Sequence, residues 1–197
     1  MTASARSHIT LISKFAAISA VQLIWTATAF GQERVNPQAE AMAKFSERVT
    51  AYIALQKKTE STLVPQKETS DPYKIKTLVT SLANGIRAAR ADAKPGDVFN
   101  GASEQFRHMI REDAKDRSVR DAFAAMEEVP KNKRPKVNDD YPEKAALATV
   151  PPLILKRLQR LPDGVEYRFM GRDLILRDTK ANLIVDVLHE AVPTVTR

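Results

Sequence analysis

The sequence predicts an α+β protein, mainly α: a short helical bundle followed by a small three-stranded antiparallel β-meander. Three observations predict it. Apolar residues recur at three- and four-residue steps through much of residues 38–126, the spacing of one helical face. At Val165 the period changes to two, the signature of half-buried strands. The eleven prolines fall mostly between these periodic stretches, where they end elements without breaking them.

The first helix is expected from about Gln38 to Ser61. Met42, Phe45, Val49 and Tyr52 or Ile53 form its stripe, and it stops before Pro65. Asp71-Pro72 is a start signal: Asp caps, and Pro occupies the first helical position, where its missing N–H costs nothing. Ile75, Leu78, Val79, Leu82, Ile86 and Ala89 then share one face. Asn84-Gly85 interrupts this run, but Ile86 and Ala89 stay in phase with Leu82, so one continuous helix is expected, with Gly85 permitting close packing. Lys94-Pro95-Gly96-Asp97 ends it. Phe99, Ala102, Phe106 and Met109 or Ile110 mark a third helix. Val119, Ala122, Phe123 and Met126 mark a fourth, either separate from the third or continuous with it through the charged run Arg111–Arg117, which is read as a solvated face with local ion pairs. The expected core is Phe45, Leu82, Phe106, Phe123 and Met126.

Residues 129–142 carry three prolines and four basic residues and are expected to form an exposed connector between a helical body (36–128) and a C-terminal unit (143–190), with a tail at 191–197. Pro151-Pro152 opens a short helix through Leu153, Ile154, Leu155, Leu158 and Leu161. Pro162-Asp163-Gly164 is a turn. Val165, Tyr167 and Phe169 form a strand with one buried face. Leu174-Ile175-Leu176 is apolar on both faces and so central. Leu183, Val185 and Val187 alternate with Ile184 and Asp186 in a third strand, whose polar positions are expected to face solvent.

Residues 1–31 have the plan of a cleavable export signal: Arg6, His8 and Lys14 in front, a charge-free apolar run from Phe15 to Phe30, and Ala29-Phe30-Gly31 at the cut. The run is shorter than the ~20 apolar residues a spanning helix needs. A periplasmic or secreted protein is expected, with no transmembrane segment after processing. The net charge of +7 falls to +5 once Arg6 and Lys14 are removed. The absence of cysteine excludes disulfides, thiol catalysis and cysteine-bound metals.

Tyr167-Arg168, Gly171 to Leu176, Asp178 and Leu183 to Val187 together resemble the C-terminal hairpin of small bacterial periplasmic proteins of the RcnB-like, nickel/cobalt homeostasis type. The sequence departs from that pattern at Ala181-Asn182, where Thr-Gly is usual. The resemblance implies a periplasmic setting. It does not extend to the helical body or carry metal homeostasis with it.

Candidate chemistry is sparse. Glu104, His108 and Glu112 are four apart and would line one helical face, donor types suited to zinc or nickel; a surface His–carboxylate pair is the competing reading. Lys131, Lys133, Arg134 and Lys136 are candidates for contact with an anionic surface. Asp139-Asp140-Tyr141 reads as an Asp-rich turn in place of a cation site. Ser103, His108 and Asp97 have the composition of a triad but no nucleophile elbow, and no phosphate loop or dinucleotide fingerprint occurs. The expectation is a non-enzymatic exported envelope protein, without a cofactor, that binds another envelope protein or an anionic lipid or cell-wall polymer and not nucleic acid. The alternatives are a periplasmic metal or small-ligand binding protein and a hydrolase of cell-wall polymers.

Overall fold

A computed structural model describes residues 36–63, 70–127, 134–142 and 150–194, with backbone alone at 125–127. The expected fold class is observed. Helix α1 spans Pro37–Thr62, α2 Pro72–Ala89, α3 Ser103–Asp113, α4 Arg117–Glu127 and α5 Pro152–Arg157, and strands β1 (Val165–Met170), β2 (Asp173–Asp178) and β3 (Leu183–Leu188) follow. The strands form an antiparallel meander in the order β1-β2-β3, with β2 central.

Local chemistry sets the helix starts. Asn36 and Asp71 each accept the backbone N–H two residues on, from Gln38 and Tyr73, and proline follows each cap. α2 runs unbroken through Asn84-Gly85. A Cβ at Gly85 would lie 2.5 Å from Cγ2 of Thr59, so glycine is what lets α2 approach α1. Gly85→Ala should therefore gain ~1 kcal/mol of helix propensity but lose about 1–3 kcal/mol to overpacking. In a Thr59→Ser background, which deletes the obstructing methyl and keeps a hydroxyl able to bond Leu55 O, the same change should stabilise. Urea titration of the four chains distinguishes the two terms.

The helices cover one face of the sheet. Phe45 of α1, Phe99 before α3, Phe106 of α3 and Tyr167 of β1 form a chain of rings with centroids 4.8–6.0 Å apart. Phe123 of α4 meets Phe169 of β1 edge-on at 5.5 Å. Residues from 41 to 192 thus share one hydrophobic cluster, to which helical body and meander both contribute. Phe45, Leu82, Phe106 and Phe123 are buried in it as expected; the side chain of Met126 lies outside the described residues.

Several expectations need correction. Phe99 and Ala102 are buried but lie in turns ahead of α3. The charged run does not continue α3 into α4: the chain turns at Ala114–Asp116, and Asp113 is buried and paired with Arg157. α5 stops at Arg157, leaving Leu153 and Leu155 exposed while Ile154 and Leu158 are buried. Residues 134–142, read as exposed connector, pack along β3. Asn138 and Tyr141 donate N–H bonds to Ile184 and Asn182 carbonyls, and Ile184 donates to Asp139. Tyr141 is buried with Ile175, Ile184 and Val187 on the sheet's second face.

The strand faces also differ from the expectation at one point. Register shifts beside Leu176/Arg177, so that Leu176 opposes Asp186 and Arg177 opposes Ile184, leaving Val185 as the extra residue of a β-bulge. Strict alternation would aim Asp186 away from Leu183 and Val185. The bulge brings it to their side, toward the helices, and sends Val187 to the second face with Ile184. Asp186 is therefore buried, not solvent-facing; Asp173 and Asp178, at the two ends of β2, are buried as well.

Candidate functional site

Each of these three carboxylates is held by donors from a different part of the chain. Asp186 accepts N–H bonds from Gly96 (2.6 Å), Val98 (2.7 Å), Phe99 (2.9 Å) and its neighbour Val187 (2.7 Å). Burial pushes its carboxyl above the usual range, and the four amides pull the other way without cancelling that shift. Asp178 accepts from the Tyr52 hydroxyl and Gln56 Nε2, both at 2.6 Å, and from the amides of Lys180 and Ala181, both at 2.8 Å. Burial, then the Asp178 charge, pushes the Tyr52 phenol up. Asp173 accepts from the Glu190 amide and faces His189 Nδ1 at 3.1 Å. These are fastenings of turns and helices to the sheet, since their oxygens face internal donors.

The candidates read from the sequence are dispersed. Glu104 pairs with Arg107 at 2.7 Å and Glu112 with Lys115 at 2.6 Å, while His108 is exposed. Among the described residues no group of three or more His, Asp or Glu side chains is arranged to hold a metal ion. The Ser103 hydroxyl donates to Phe99 O, and Asp97 accepts the Lys94 amide, so neither is turned to His108 as a triad requires. Arg134 and Lys136 are exposed; Lys131 and Lys133 lie outside the described residues. Asp140 pairs with Arg87 at 2.6 Å, and Arg177 sits 4.4 Å over the buried Tyr141 ring.

The surface feature that remains is α2. Its last turns are tied down: Arg87 Nε donates to Asn138 O, Arg90 Nη2 donates to Val185 O at the bulge, and Arg90 lies over the Tyr52 ring. Leu82, Ala83 and Ile86 are buried there. The same stripe continues toward the helix start, but unburied: Ile75 is 45% exposed and Leu78 38%, while Tyr73, 79% exposed, lies on the opposite face of the helix. Lys74 and Lys76 flank Ile75, and no acidic residue occurs from Pro72 to Ala89. A depression of about 440 Å³ adjoins this half-helix, between Lys76, Val79 and Ala83 of α2 and Tyr141, Pro142 and Ala181. The helical period revealed the stripe; that its first half is exposed was invisible, because amphipathicity identifies an apolar face and not what lies against it.

Comparison with protein-family models found no match, and comparisons with curated proteins and solved structures found none either. The geometry alone defines the class: an α+β, mainly α chain. Among its described residues no helix is long and apolar enough to cross a membrane.

Proposed function

We propose that this protein is a non-enzymatic, exported component of the cell envelope that works by binding another protein or a surface through the free half of α2. The observation that carries the reading is the continuous apolar stripe of α2, buried at Leu82 and Ile86 and exposed at Ile75 and Leu78. Exposed apolar residues gathered on one element, as distinct from scattered singly, mark interaction sites. The export-signal pattern of residues 1–31 supports the compartment.

A photo-crosslinking residue placed at Leu78 in intact cells should give a discrete adduct, of protein or of lipid. The same residue at the exposed Lys57 of α1 should give none. Absence of any adduct at position 78, with the purified chain monomeric, would remove the proposal.

A further inference from the structure

We infer that Asn100-Gly101 is a site of spontaneous deamidation and that Arg48 activates it. Asparagine is chemically labile, and the reaction needs no enzyme. The deprotonated Gly101 nitrogen attacks Cγ of Asn100, the side-chain amide leaves as ammonia, and a succinimide ring closes. Water then opens the ring. Its addition at Cγ breaks the Cγ–N bond and yields aspartate; its addition at the main-chain carbonyl carbon breaks that C–N bond and yields an isoaspartyl link.

The chain carries two Asn-Gly pairs, and the fold sets them apart. Asn84-Gly85 lies inside α2, where each N–H is held by the carbonyl four residues back, and Arg87 Nη1 donates to Asn84 Oδ1 at 3.0 Å. Asn100-Gly101 lies in the turn ahead of α3, and both residues are exposed. Among the described residues the Gly101 N–H donates no backbone hydrogen bond. Gly101 has a left-handed φ of 80°, and, its chain neighbours aside, nothing lies within 4 Å of where a Cβ would stand. The nucleophile is thus neither engaged nor hindered.

Arg48 of α1 supplies the activation. Its Nη1 donates to Asn100 O, the oxygen of the same peptide whose nitrogen must lose its proton. The charge of a deprotonated peptide is shared between its nitrogen and its oxygen, so a guanidinium at the oxygen stabilises the attacking anion.

Trypsin separates the two pairs, into peptides 77–87 and 91–107. After incubation of the folded chain at mildly alkaline pH, peptide 91–107 should gain about 1 Da, as aspartyl and isoaspartyl isomers, and peptide 77–87 should not. In urea the two should gain it alike. Arg48→Met should slow the gain in the folded chain severalfold. Base-catalysed hydrogen exchange at the Gly101 amide passes through the same anion, so it should slow in that variant too, whereas a mere loosening of the turn would quicken it. No gain in 91–107 of the folded chain, an equal gain in 77–87, a difference between the peptides that persists in urea, or an Arg48→Met chain unslowed in either assay overturns the inference.

Discussion

Replacing Asp186 with alanine should destabilise the fold by about 2–4 kcal/mol. The substitution leaves the N–H groups of Gly96, Val98 and Phe99 without their acceptor. Val98 and Phe99 are buried, and an orphaned buried donor costs ~1–3 kcal/mol. Relief from burying a carboxylate offsets part of the loss. Its sign follows from the raised carboxyl: between the ordinary value of 3.8 and the higher folded value, the folded chain holds a proton that the unfolded chain has released. Ionised Asp186 therefore weighs against the fold at neutral pH, and this contribution to stability is lost as pH rises through the folded value. The variant should lack that component of the pH dependence. Urea titrations at neutral and mildly acidic pH measure both effects. Hydrogen exchange should localise the damage, with amides 96, 98 and 99 exchanging far faster than those of β1.

The fate of Asp186 also shows where sequence reading stops. Helix starts at Asn36-Pro37 and Asp71-Pro72 are written in neighbouring residues, and so is the change of period at Val165, because caps and strand alternation are local. Continuity of α2 through Gly85 followed from phase alone. The bulge at Val185 depends on pairing with a strand several residues away, and one extra residue reverses which side chain meets the helices. The donors awaiting Asp186 are backbone amides, which leave no mark in the side-chain pattern. Asn182 is a smaller case: its left-handed φ of 52° suits asparagine or glycine, so the turn was legible where the burial of the adjacent Ala181 was not. The metal candidates are the converse case. Spacing by four does align Glu104, His108 and Glu112, but Arg107 and Lys115, three residues beyond each glutamate, take up those carboxylates first.

Phe106→Ala should cost about 3–5 kcal/mol, the loss typical of a large buried ring removed from a core that collapses only partly. For a chain whose total stability is of the usual order, ~5–15 kcal/mol, that is a large fraction. Phe106 is fully buried and touches Phe45 of α1 (4.8 Å), Phe99 of the preceding turn (5.2 Å) and Tyr167 of β1 (6.0 Å). Because one ring joins helices to sheet, circular dichroism in the peptide and tyrosine bands should report a single, coincident transition shifted to lower urea. Separate helical and meander transitions would show instead that the shared cluster does not couple the two halves. Phe99 links this prediction to the first, since its amide donates to Asp186 while its ring packs on Phe106. Loosening the 96–99 turn already forfeits part of that ring contact. The Asp186→Ala, Phe106→Ala double variant should therefore lose less than the sum of its parts, by about 0.5 kcal/mol or more. Strict additivity would mean that Asp186 holds the backbone of the turn without positioning the Phe99 ring.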